Sequence, residues 1–155
     1  MIYPTTLIDG GAAGSNGSWG LDVACVYSIQ CNPALYLIFT TTGEAQREVV
    51  RAAQQCLKPL EAALKGRRFF GGDALGFVDL AACTLAHWLD VLEEVAGVRL
   101  TGDGEYPALR RWAKEYTADE TVRRFLPDRG ELAAFFAANK ERYSSMVRAA
   151  VVQRQ

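Results

Sequence analysis

The segment RRFFGGDALGFVDLAACTLAHWLDVLEEV, residues 67–95, combines two glycine-containing turns with an aspartate and a long apolar pattern. Glycine-rich loops that cradle phosphate follow GxxxxGK(S/T) or GxGxxG spacings and come directly after a strand. The stretch GGDALG has neither spacing, and it comes after the end of a predicted helix. We therefore interpret Gly71 and Gly72 as a tight turn with Asp73, and Gly76 as the N-cap of the next helix.

Asp79 stands three residues after Gly76, at the N3 position of that predicted helix. A carboxylate at N3 can accept hydrogen bonds from first-turn N–H groups and meets the positive end of the helix dipole. A catalytic role would need a partner acid or base, and none lies nearby in the sequence. We expect Asp79 to be structural, and its loss from a buried position to cost roughly 1–3 kcal/mol.

The residue types give little indication of a nucleophilic catalytic site or a metal site. His87 is the only histidine, and it sits on an apolar helix without a nucleophile elbow, so a Ser-His-Asp or Cys-His site is not expected. The chain has four cysteines, at Cys25, Cys31, Cys56 and Cys83. They form no CxxC pair, which argues against a zinc ribbon or a thioredoxin-type motif. We expect reduced, mostly buried thiols and no metal.

Aromatic side chains offer a candidate ligand site, since apolar pockets in bundles commonly lie between helices. The candidates are Tyr36, Trp88, Phe135 and Phe136. Aromatic residues at helical spacing more often fill a core, so the residues alone favour core packing and leave the pocket as the alternative.

Composition and charge restrict the class of protein. A chain of 155 residues has the length of one domain with a substantial core. Its 17 basic and 18 acidic residues give a formal charge of −1, which argues against nucleic-acid binding. No window reaches the roughly 18–20 consecutive apolar residues of a membrane span, and the start lacks a signal-peptide pattern. We expect a cytoplasmic protein with neither nucleic acid nor membrane as partner.

Helical periodicity begins at about Asn32, which we interpret as the cap of a short helix in NPALYLIF. A long helix follows and stops at Gly66, with a bend or division predicted at Lys58 because Pro59 comes next. A central helix is predicted from about Phe77 to Val95. Two shorter helices, in PALRRWAKEY and DETVRRFLP, precede a last helix that follows Asp128 and has Leu132, Phe135, Phe136 and Tyr143 on its aromatic side.

This order predicts an all-α bundle of five to six helices over residues 31–150, with a tail at 151–155. Residues 1–30 are rich in glycine and serine and are poorly specified. The alternation between Leu21 and Tyr27 is compatible with a short strand, a helical turn or no order.

From about Asn32 to Tyr143 these segments resemble the C-terminal helical domain of cytosolic glutathione S-transferases, and FFGGDALGFVD most resembles the plant tau class. The tryptophan of the central helix, the PxLxxWxxxY helix and the LPD start of the last helix add to this resemblance. In the family, the aspartate matching Asp79 belongs to a buried capping box that helps the domain fold. Many members have serine or threonine at the position of Gly76, where glycine fits the tau pattern.

The resemblance implies a two-domain, dimeric enzyme that conjugates glutathione to hydrophobic electrophiles in detoxification and stress response. The family's thioredoxin-like domain binds glutathione and, in tau enzymes, supplies a serine that stabilises the thiolate. Residues 1–30 are too short for that domain, and Ser15, Ser18 and Ser28 lack the family's flanking residues. We therefore assign no catalytic residue, and we expect a truncated enzyme without its glutathione site that is inactive alone.

The resemblance also places Trp88, Phe135 and Phe136 near the walls of the hydrophobic-substrate site. Partners would then be small hydrophobic electrophiles, together with a second copy of the chain or a thioredoxin-like domain. Two alternatives remain open. One is a non-catalytic helical module that binds apolar ligands or a protein partner. The other is a structural remnant or mis-assembled gene product whose first thirty residues are not native coding sequence.

Overall fold

The computed structural model describes residues 31–102 and 104–152. These residues form seven helical segments: α1 Asn32–Thr40, α2 Gly43–Leu64, α3 Phe77–Ala81, α4 Cys83–Ala96, α5 Pro107–Ala118, α6 Glu120–Arg123 and α7 Arg129–Val152. Within these ranges the only strand-like pairing is an isolated bridge between Phe69 and Gly72. The prediction of an all-α bundle is thus confirmed. The candidate strand at residues 21–27 and the three N-terminal serines lie outside the described residues.

Helix α4 is the centre of the bundle, and it packs against α1, α3, α5 and α7. Leu85, Val91 and Leu92 on this helix are at most 2% exposed. Their burial follows from the wide apolar face in the sequence, because a helix with such a face must be covered by neighbours on several sides. The described helices lack the combination of length and apolar character that crossing a bilayer requires.

The predicted central helix is interrupted at Ala82, so that α3 and α4 are separate segments. Ala82 leaves helical geometry with φ −90° and ψ 11°, while its N–H still donates to the carbonyl of Val78 at 2.9 Å. Its side chain is only 1% exposed. The apolar spacing continues on both sides of this residue, and for that reason the sequence pattern did not reveal the break.

Helix α2 runs over 22 residues without interruption. Of the two predicted effects of Pro59, a bend or a division at Lys58, the division is therefore wrong. Pro59 removes one backbone donor from the helix. Leu57 and Leu60 on either side are at most 1% exposed, so both halves of the helix are held against the same core. Beyond its last residue the chain turns at Gly66, with φ 75°, close to the predicted stop.

Two helix starts depend on features that sequence spacing did not identify. Helix α1 begins at Asn32 with Cys31 as N-cap, so the assignment of Asn32 as the cap is wrong by one residue. The position still suits Pro33, because the first-turn N–H groups lack partners within the helix. At the start of α5, the Glu61 carboxylate accepts hydrogen bonds from the N–H groups of Ala108 at 2.9 Å and Leu109 at 2.7 Å.

Candidate functional site

Six aromatic side chains from α1, α4 and α7 form one connected group, which we call the aromatic cluster. Its members are Tyr36, Phe39, Trp88, Phe135, Phe136 and Tyr143. Most of the ring pairs meet edge to face, which is a favourable arrangement of aromatic quadrupoles. The cluster therefore fixes the relative positions of the three helices that carry it.

The structure brings together all four aromatic residues that the sequence singled out. The rings of Tyr36 and Trp88 meet edge to face with centroids 6.5 Å apart. The Trp88 ring contacts Phe136 with centroids at 5.4 Å, and Phe136 contacts Phe135 at 5.7 Å. Residues from distant parts of the sequence thus form one connected group of rings, which is joined through the buried ring of Phe136.

Sequence reasoning missed two members as site residues, although their spacing offered a signal. Phe39 lies three positions after Tyr36 on α1, and its ring centroid is 5.2 Å from that of Phe136. Tyr143 lies seven positions after Phe136 on α7, and it contacts Phe39 at 5.8 Å. Positions three and seven apart share one helix face, so both could have been added to the candidate group.

The cluster has a buried inner part and a more accessible outer edge. Phe39 is 0% exposed and Phe136 is 2% exposed, and both belong to the hydrophobic core. Tyr36 and Trp88 are half-buried, and Phe135 is 51% exposed. Adjacent helical residues point about 100° apart, so Phe135 does not share the core-facing direction of Phe136. Phe135 thus contacts the ring of Phe136 from the exposed side of the last helix.

The outer edge is uncharged. Burial, and to a smaller extent the neighbouring Tyr143 hydroxyl, raises the pKa of the Tyr36 phenol above its usual value. The phenol thus stays neutral at physiological pH. Neutral aromatic rings can contact apolar or aromatic ligands by burying area and by ring contacts.

A second feature, the buried carboxylate of Asp79, lies at the start of α3. Its side chain is 0% exposed, and Oδ2 accepts a hydrogen bond from Gly76 N–H at 2.9 Å. Oδ1 accepts from Phe70 N–H at 3.0 Å and from the Trp112 indole Nε1–H at 2.7 Å. The structure therefore places Asp79 at N3 and adds two partners that sequence spacing did not identify. Trp112 lies 33 positions away, where local spacing carries no signal.

The glycine-rich stretch before Asp79 forms a closed turn. Phe69 and Gly72 exchange N–H to carbonyl hydrogen bonds of 2.8 and 3.0 Å, and Gly72 has φ 110°. A phosphate cradle needs free N–H groups, whereas those of Phe70, Gly72 and Gly76 already donate within the protein. The stretch therefore serves as a structural turn, in agreement with its interpretation from the sequence.

His87 also contacts the backbone. Its Nε2 lies 2.9 Å from the carbonyl oxygen of Pro127, to which it donates, and this contact connects α4 to the turn before α7. Across residues 31–102 and 104–152, no group of three or more His, Cys, Asp or Glu side chains is arranged to hold a metal ion.

Comparisons with known proteins give a consistent picture. Residues 26–120 match the family described as "Glutathione S-transferase, C-terminal domain". Glutathione transferase GST 23 of Zea mays is 49% identical over 120 residues, which cover 77% of this chain and 53% of the maize protein. Glutathione S-transferase U8 of Arabidopsis thaliana is 36% identical over 96 residues, covering 61% of this chain and 43% of the relative.

Two crystal structures share the arrangement of helices. The tau class glutathione S-transferase of mango superimposes with a TM-score of 0.68 at 30% identity, over 75% of this chain and 55% of the mango chain. Rice GST1 (OsGSTU1), solved in complex with glutathione, superimposes with a TM-score of 0.73 at 26% identity, over 83% of this chain and 57% of the rice chain. The chain spans about half the length of the curated relatives it matches.

Proposed function

The chain belongs to the glutathione S-transferase family, and on that premise we propose that its helical region forms the hydrophobic-substrate half of a tau-like enzyme. The family uses glutathione as co-substrate and acts on hydrophobic electrophiles. The observation that carries the proposal is the outer edge of the aromatic cluster, where Tyr36, Trp88 and Phe135 combine apolar rings with partial exposure.

The proposed role of this edge is to bind and orient the electrophile. Trp88 offers the largest ring, and it is held edge-on by Tyr36 and Phe136 from two other helices. A ring fixed on both sides loses little freedom when a ligand binds, so more of the contact energy goes to affinity. In the reaction, the glutathione sulfur attacks the electrophilic carbon, and orienting that carbon near the sulfur lowers the entropic barrier.

We assign the thiolate chemistry to a thioredoxin-like domain, because in tau enzymes that domain supplies the serine that stabilises the thiolate. The docking surface proposed for this domain includes α3, where Phe77 is 67% exposed and Leu80 is 57% exposed. Both flank the Asp79 turn. Covering two large apolar side chains removes unfavourable contact with water and favours association of the two domains.

The test compares the 155-residue chain alone with the same chain joined to the thioredoxin-like half of rice GST1. We expect the chain alone to conjugate glutathione to an aromatic electrophile at the uncatalysed background rate. Calorimetric titration of the chain alone with glutathione should show no detectable heat. The joined protein should turn over glutathione well above background.

Turnover by the chain alone would refute the proposed dependence on a second domain. A joined protein that folds and binds glutathione but conjugates nothing would refute the substrate-site proposal. In that case binding of an apolar dye by the chain would support the non-catalytic alternative. Loss of dye binding on substitution of Trp88 would place that ligand at the same edge.

A further inference from the structure

Two cysteines with no part in the proposed conjugation lie next to each other where α1 packs against α2. The Sγ of Cys31, immediately before α1, donates a hydrogen bond to the carbonyl oxygen of Cys56 at 3.3 Å. Cys56 lies in the second half of α2, 25 positions further along the chain. The contact thus joins the beginning of one helix to the body of the next.

The two thiols differ in accessibility. Cys31 is 1% exposed and belongs to the core, whereas Cys56 is only partly buried. An external reagent can therefore reach Cys56, but it has little access to Cys31. The pair thus consists of one thiol that solutes can reach and one buried thiol whose Sγ contacts the backbone of the accessible residue.

The pKa values of the two thiols are shifted in opposite directions. Apart from the bond to the carbonyl, the interaction of the two side chains lowers the pKa of the Cys56 thiol, and this effect outweighs the opposing effect of burial. The same side-chain interaction, followed by burial, raises the pKa of Cys31 above its usual value. Since the thiolate is the reactive form of cysteine, Cys56 is the nucleophile of the pair.

We propose that Cys31 and Cys56 form a reactive dithiol that low-molecular-weight disulfides of the oxidised-glutathione class convert to an intramolecular disulfide. In the first step the Cys56 thiolate attacks one sulfur of oxidised glutathione. The glutathione S–S bond breaks, Cys56 becomes a mixed disulfide, and one glutathione leaves as a thiolate that takes up a proton.

In the second step Cys31 attacks the Cys56 sulfur of the mixed disulfide, and its proton passes to the departing glutathione sulfur. The new S–S bond joins Cys31 to Cys56, and the second glutathione leaves as a thiol. Two cysteine thiols are oxidised, and one molecule of oxidised glutathione is reduced to two of glutathione. The product connects the start of α1 covalently to α2.

The experiment treats the folded 155-residue chain with oxidised glutathione, quenches with acid and an alkylating agent, and maps the linkages by peptide mass spectrometry. We expect the Cys31–Cys56 linkage in the wild type. Cys31→Ser should accumulate glutathione on Cys56, because the second thiol is missing. Cys56→Ser should form neither product at these positions.

Cys83→Ser and Cys25→Ser are the matched controls, and both should form the Cys31–Cys56 linkage as the wild type does. Cys83 is also a partly buried thiol, at the start of α4, and we expect Cys56 to react roughly tenfold faster than Cys83. In guanidinium chloride the selectivity for this pair should disappear, because it depends on the fold.

A wild-type chain that carries glutathione on Cys56 without forming the linkage would overturn the proposal. A wild-type linkage of Cys56 to Cys25 or Cys83 would also overturn it, because another thiol would then be the partner. Since the wild-type result alone decides the main point, a variant that fails to fold does not remove the test.

Discussion

At the scale of single residues, the Asp79 carboxylate joins three parts of the fold. It accepts hydrogen bonds from the N–H groups of Phe70 and Gly76 and from the indole of Trp112. A buried charge is costly unless several donors surround it. The three donors meet that requirement, and each would be left unsatisfied without the carboxylate.

We predict that Asp79→Ala lowers the free energy of unfolding by roughly 3–5 kcal/mol, because three buried donors lose a charged acceptor. Urea unfolding followed by tryptophan fluorescence measures the change. Asp79→Asn should also destabilise, since an amide nitrogen facing the Gly76 N–H sets two donors against each other.

Asp73→Ala is the matched control for this prediction. Asp73 lies in the same turn region and is exposed, so its replacement should change the free energy of unfolding by no more than about 0.5 kcal/mol. Equal unfolding midpoints for Asp79→Ala and Asp73→Ala would contradict the structural role of Asp79.

At the scale of elements, the start of α5 is held by a side chain from another helix. Pro107 occupies the first turn, and Glu61 of α2 accepts the hydrogen bonds of Ala108 and Leu109. A carboxylate at a helix N-terminus gains from both the free N–H groups and the helix dipole. The contact therefore stabilises α5 and its packing against α2 together.

Glu61→Ala should cost roughly 1–3 kcal/mol of unfolding free energy, because two N–H donors lose their charged acceptor. The control is Glu48→Ala on the same helix, where the glutamate pairs with Arg51 at the exposed surface. Exposed pairs of this kind contribute about 0–1 kcal/mol. A Glu61 variant as stable in urea as the Glu48 variant would show that the cap contributes nothing.

Element boundaries could be predicted where the signal was local. The stop near Gly66 and the capping position of Asp79 follow from residue types within one turn. The break at Ala82 and the continuity of α2 through Pro59 could not be predicted, because both depend on core packing between helices. Tertiary contacts override local preference at these two places.

At the scale of the whole molecule, the helical periodicity of the apolar residues was enough to predict an all-α architecture. The segment FFGGDALGFVD indicated a resemblance to the tau class. The relatives named above bear out that resemblance. Spacing and resemblance also selected Trp88 and Phe136, whose rings do meet. The link from Asp79 to Trp112 could not be found, since it joins elements whose approach depends on the complete bundle.

If a second domain docks on the bundle, α3 is where the change in exposed surface should be largest. Phe77 and Leu80 expose large apolar side chains on this helix, and without a partner these side chains stay in contact with water. Joining the thioredoxin-like half should cover this surface. We therefore expect the joined protein to bind less of a surface-sensitive dye than the chain alone, with Phe77→Ser reducing dye binding by the chain.

Steady-state kinetics of the joined protein can show whether the edge of the aromatic cluster contacts the electrophile, as we propose. Trp88→Ala should raise the KM for an aromatic electrophile roughly tenfold or more, while the KM for glutathione stays unchanged. Phe125→Ala, at an 83% exposed position outside the cluster, is the control and should change neither constant. A folded Trp88→Ala protein with both KM values like those of the control would contradict the account.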